Sequence, residues 1–196
     1  MKRITAFICS IIFLQAIYAQ QAPTPQILKE PANWEFETFP LPPSFAPGIP
    51  YKGVEELRFS PGMFKKDSAT YFTYAFVAVL DSTSIVSEKN IKDYLFDYFK
   101  GLCSSTAKQR QLVIDTSKIT VSIEKKKHSG GDAFYDATLN IYGVFADGAP
   151  VKLNMEIKVM YNKTVSKAYV VVIASPLDKA NKIWITLRGI QQGVKV

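Results

Sequence analysis

Histidine occurs once in these 196 residues, at His128, and cysteine twice, at Cys9 and Cys103. A protein-built metal site of several imidazole or thiolate ligands is excluded by that count, so neither a metal nor a cofactor is expected. No glycine-rich loop opens a helix: Gly130-Gly131 joins two strand-like runs, so a phosphate cradle is absent too. The basic residues form no stripe interleaved with aromatics, which argues against nucleic acid as a partner. Outside the N-terminus no apolar run approaches the roughly 20 residues that span a bilayer, so no transmembrane segment is expected in the mature chain. There is no internal repeat.

What is present begins with an address. Lys2 and Arg3 precede a mostly apolar run from Ile4 to Leu14, and Ala19 supplies a small residue before Gln20. This is the pattern of a secretory signal peptide, residues 1–19, and it implies an exported protein, periplasmic or secreted. Cys9 sits within the apolar run rather than after it, which excludes lipid attachment there. Removal of Lys2 and Arg3 lowers the basic count from 24 to 22 and the net charge from +7 to +5. Cys103 is then the only cysteine, so an intrachain disulfide cannot form in a compartment that would permit one. A small buried apolar residue near a helix end is its plain reading.

Eight of the eleven prolines lie between Pro23 and Pro50. Each removes a backbone donor and restricts the residue before it, so residues 20–52 cannot form a regular helix. From Trp34 onward, Phe36, Phe39, Leu41, Phe45 and Ile49 are interleaved with the prolines. That much apolar surface predicts an extended arm packed on the core, with Trp34–Phe39 available as a short edge strand.

Residues 53–196 read as a single α+β domain. Gly53–Ser60 is a strand, and Tyr71–Leu80 is apolar on both faces, as a central strand must be. Ser87 is placed to cap a helix in which Ile91, Tyr94, Leu95, Tyr98, Phe99 and Leu102 recur at three- and four-residue spacing, with Gly101 marking its fraying end. Three alternating runs follow, around residues 119–124, 133–141 and 151–159, with a tight hairpin turn expected at Asp147-Gly148, and then Ala168–Ala174, apolar on both faces and so again central. Asp178–Gln191 is a closing amphipathic helix with Ile183, Trp184, Leu187 and Ile190 inward, although Ile183–Leu187 also fits a strand. The predicted order is β-β-α-β-β-β-β-α: an antiparallel sheet of about six strands carrying two helices.

The lead ending in Phe39-Pro40-Leu41-Pro42-Pro43-Ser44-Phe45, followed by hairpin, helix, meander and C-terminal helix, resembles the PsbP-like α/β/α sandwich of exported bacterial and thylakoid-lumen proteins. The resemblance covers residues 34–192 and implies a small extrinsic binding or accessory protein. The single His128 departs from the histidine metal sites of some relatives. The chain also resembles exported bacterial proteins to which no function is assigned.

Catalytic groupings are sparse. His128, Ser129 and Asp132 are explained by a Ser-Gly-Gly turn. Glu55 and Glu56 are adjacent on a strand, face opposite ways and cannot share a proton. The candidate binding surface is the polar face of the meander, where Asp136, Thr138, Asn140, Lys152, Asn154, Glu156 and Lys158 project together. Its amides and mixed charges suit a protein or glycan partner in the cell envelope; a plain solvated sheet face is the alternative. Asn162-Lys163-Thr164 is a glycosylation sequon in a turn, relevant only in a eukaryotic host. The leading expectation is therefore a non-enzymatic accessory or binding protein. The competing one is a hydrolase using carboxylates or His128 in a cleft under the arm.

Overall fold

A computed structural model describes residues 27–82, 86–126 and 131–196. The signal peptide, the start of the arm, His128 and the Ser129-Gly130 turn lie outside the described residues. The elements are β1 (Glu35–Leu41), β2 (Gly53–Phe59), β3 (Tyr74–Leu80), α1 (Glu88–Arg110), β4 (Thr120–Lys125), β5 (Ala133–Tyr142), β6 (Pro150–Asn162), β7 (Lys167–Ser175) and α2 (Ile183–Gly193). All seven strands form one sheet in the order β1-β2-β3-β7-β6-β5-β4, with every neighbouring pair antiparallel. The fold is α+β. It has one strand more than the six or so expected, because part of the arm joins the sheet as edge strand β1.

The central strands show why helices cover both faces. On β3, Tyr74, Phe76, Ala78 and Leu80 enter the core beneath α1, while Ala75 and Val77 enter the core beneath α2. On β7, Val170 and Val172 point to α1, and Val171 and Ile173 to α2. Apolar residues at consecutive positions give a strand no polar face, so both sides must be covered. The arm clasps the sheet edge in the same way. Leu28 and Trp34 are buried on the α2 side, and Leu41, Ala46 and Ile49 on the α1 side.

Helix α1 starts as expected. The Ser87 hydroxyl accepts from the Asn90 backbone N–H, and the Asn90 side chain accepts from the Ser87 N–H, each at 3.1 Å. It does not end at Gly101, however, but runs on to Arg110, where Gln111 adopts the left-handed conformation. A Cβ at Gly101 would lie 2.3 Å from the carbonyl oxygen of Phe45. The glycine lets the arm cross the helix, and the burial of Cys103 and Ala107 carries the helix past it. Helix α2 begins later than expected, at Ile183. Asp178 and Asn181 fold their side chains onto the N–H groups of Ala180 and Ile183, which holds the preceding residues in turns. The Asp147-Gly148 turn is wider than a tight hairpin, because residues 143–149 loop inward to bury Val144 completely. Among the described residues no helix is long and apolar enough to cross a membrane.

Candidate functional site

Alternation along β2 places Glu55, Leu57 and Phe59 toward α1 and sends Glu56 and Arg58 to the other side. The two adjacent acids therefore part company, as the strand period requires. Both are nonetheless buried, Glu55 at 0% exposure and Glu56 at 4%.

Glu55 lies opposite Phe39 on β1 and Ala78 on β3. Its two oxygens accept hydrogen bonds from the hydroxyls of Tyr94, at 2.5 Å, and Tyr98, at 2.8 Å. The tyrosines sit one helical turn apart on α1, so one carboxyl takes both hydroxyls and fixes the helix over β2. Burial in an apolar layer pushes the Glu55 carboxyl up to about 7; the two hydroxyls favour its charged form but do not overcome that desolvation. The same burial raises the phenols of Tyr94, Tyr98 and Tyr74 well above the ordinary tyrosine value, with the Glu55 charge adding to it.

Beside this pair the layer between α1, the arm and β1–β3 is incompletely filled. A cavity of about 220 Å³ opens there, walled by Phe39 and Phe45 of the arm, Leu57 and Phe59 of β2, and Tyr98 and Leu102 of α1. Met63, Phe72, Tyr74 and Phe145 close its far side, and Glu37 is the one carboxylate of its lining. Phe45 meets Tyr98 edge to face with ring centres 4.9 Å apart, and Tyr98 stacks over Phe76 at 6.1 Å. Partial burial and the neighbouring Glu35 raise the Glu37 carboxyl above its usual value. Tyr98 presents its ring to the cavity and its hydroxyl to Glu55. A second groove of about 350 Å³, between Ile27–Pro31 and the Thr186, Gly189 and Gly193 side of α2, has no comparable aromatic wall.

The opposite face of the sheet spends its charge on internal ties. The Arg58 guanidinium donates to the carbonyls of Leu28, Trp34 and Lys29 at 2.7, 2.8 and 3.0 Å. The Glu56 carboxylate accepts from the N–H groups of Ile27 and Leu28 at 3.0 and 3.1 Å. Together they hold the start of the described arm against the sheet.

The seven polar residues singled out on the meander do project from the α2 side, but they divide into two groups. Glu156 is gripped by Arg188 of α2 at 2.7 and 3.1 Å. Asp136 pairs with Lys179 at 2.7 Å and Lys126 at 3.2 Å. Burial alone would raise the Asp136 carboxyl, but these ammonium groups hold it below its usual value. Asn154 donates to the Leu177 carbonyl at 3.1 Å, and Lys158 pairs with Asp132 at 3.2 Å. These four serve the C-terminal segment and their own sheet. Thr138 is half-buried between Ser122 and Asn154, whereas Asn140, bonded to Thr120 at 2.9 Å, and Lys152 are exposed toward the β4 edge.

Among the described residues no group of three or more histidine, cysteine or acidic side chains is placed to hold a metal ion. Cys103 is buried within α1, and burial pushes its thiol up. The linkage of Glu55 to Tyr94 and Tyr98 is the feature that the sequence reading misses. The signal was there: an acid in phase with Leu57 and Phe59, and tyrosines at i and i+4 on the inward helix face. No family model matches the chain, and no curated protein matches it.

Proposed function

We propose that this is an exported, non-enzymatic binding protein whose ligand site is the aromatic cavity between α1, the arm and β1–β3. The carrying observation is the 220 Å³ opening between α1, the arm and β1–β3, walled by rings and edged by one carboxylate. Ligand sites are concave, mostly apolar and provided with few polar groups, and this one is a small example. Export rests on the charged, apolar and small-residue pattern of residues 1–19. The PsbP-like resemblance, with its accessory role, points the same way. Hydrolysis is the weaker reading, because a carboxylate pair must flank the scissile bond, one as acid and one as base or nucleophile. Glu55 is fully buried with both oxygens engaged, which leaves Glu37 alone on the wall.

A secondary surface for a protein or glycan in the cell envelope is the part of the meander face that α2 leaves open, around Thr138, Asn140 and Lys152. Its support is their position on the β4 side, away from the ties to Arg188 and Lys179.

The binding role is tested by calorimetric titration of the chain beginning at Gln20 with 2-phenylethanol. Saturable one-to-one binding is expected, and Leu102→Trp, which fills the cavity from the surface of α1, should remove it while the circular dichroism spectrum is unchanged. Absence of saturable binding, or binding indifferent to Leu102→Trp, would overturn the role.

A further inference from the structure

Resting on that binding role, the charge around the cavity goes further and names a class of ligand. We infer that the pocket selects a small apolar cation, an aryl- or alkylammonium of roughly nine non-hydrogen atoms on the scale of a 150 Å³ cavity that takes benzene.

Three observations converge. The first is the wall. Phe39, Phe45, Phe59 and Tyr98 surround the opening, and aromatic faces attract a cation, most strongly one stripped of water. The second is the lone acid. Glu37 lines the cavity, and among the described residues no ion pair joins it or Glu55 to a cation. The third is contrast with the rest of the fold. Where half-buried carboxylates occur on the meander, a cation of the same chain meets them: Arg188 for Glu156, and Lys179 and Lys126 for Asp136.

A carboxylate partly withdrawn from water costs free energy when it has no partner, and an apolar neutral ligand would withdraw it further. An anion would be repelled by Glu37 and, behind Tyr98, by the ionised fraction of Glu55. A ligand with an apolar body and one ammonium group satisfies both parts of the wall: its body fills the ring-lined space and its charge meets Glu37 at the mouth. Glu37 is exposed on an edge strand, so an ammonium group can reach it from solvent without rearrangement of the sheet.

The test compares three probes of nearly equal size at neutral pH: 2-phenylethylammonium, 2-phenylethanol and phenylacetate. The ammonium probe should bind about tenfold more tightly than the alcohol, and phenylacetate more weakly than either. Glu37→Gln should remove about that tenfold preference of the ammonium probe over the alcohol. Equal affinity for ammonium and alcohol, or a preference that survives Glu37→Gln, overturns the cation inference while the binding role stands. Failure of all three probes to bind overturns both.

Discussion

On the α2 side of the sheet, Arg58 and Glu56 form one group of ties that pins the arm, and Arg188, Glu156 and Lys179 form another that pins the C-terminal segment. On the α1 side, the one fully buried carboxyl, Glu55, is held by tyrosine hydroxyls, and the one acid of the pocket lining, Glu37, meets none of the chain's own cations among the described residues. The difference separates charge used for holding from charge left for recognition. Irregular segments such as residues 27–34 and 176–182 carry backbone groups that no helix or ladder satisfies, and charged side chains can bond them. A long helix satisfies its own backbone, so α1 is placed by packing, by the Tyr94 and Tyr98 hydroxyls on Glu55, and at its C-terminal end by Arg110 on the carbonyls of Phe145 and Ala146.

The largest effect is expected at Arg58. Arg58→Met strips donors from three carbonyls in a buried setting and leaves Glu56 buried beside them, at a cost of about 3–5 kcal/mol. Urea denaturation measures the loss, and limited proteolysis should open the chain near residues 27–34. A change under about 1 kcal/mol would mean that the α2 side is not held by charge.

The α1 side is probed through the titration of Glu55. Its carboxyl moves from 4.5 to about 7 on folding, so the folded protein binds the proton more tightly than the unfolded chain. The stability this contributes is complete below about pH 4.5, declines as pH rises through 7, and is level above that, roughly 3 kcal/mol in all. The pH dependence of wild type minus that of Glu55→Gln isolates this slope from other carboxylates, such as Asp136, whose lowered values act in the opposite direction. A flat difference between the two would contradict the burial argument.

The smallest effect is expected at Arg188. Its side chain is 40% exposed, so Arg188→Met should cost only about 1 kcal/mol despite the two-pronged geometry with Glu156. High salt should weaken the wild-type tie and leave the variant unchanged. A loss as large as that at Arg58 would put the meander tie on the same footing as the buried clamp.

The layout was legible wherever the pattern was local. Period-two alternation located β4 to β6, apolar residues throughout β3 and over residues 168–174 of β7 marked the centre, and the Ser87 cap marked the start of α1. What misled was local propensity overruled at a distance. Gly101 reads as a helix end until Phe45 is seen crossing it, and no window of sequence contains both residues in contact. The meander face reads as one polar surface until Arg188 and Lys179 arrive from more than twenty residues away to take Glu156 and Asp136. Glu55 and Glu56 could be assigned to opposite faces from the strand period alone. That both would be buried could not, because the arm and α1 cover them from elsewhere in the chain.

The α1 side keeps an aromatic place for a small ligand, while on the α2 side the charges at Arg58, Glu156 and Asp136 are spent on ties. The most direct measurement is a side-chain and backbone NMR map of the protein during titration with 2-phenylethylammonium. The account predicts saturable shifts confined to Glu37, Phe39, Phe45, Tyr98, Leu102 and their neighbours. Shifts centred on Asn140 and Lys152, or on Arg58 and Arg188, or no saturable shifts at all, would contradict it.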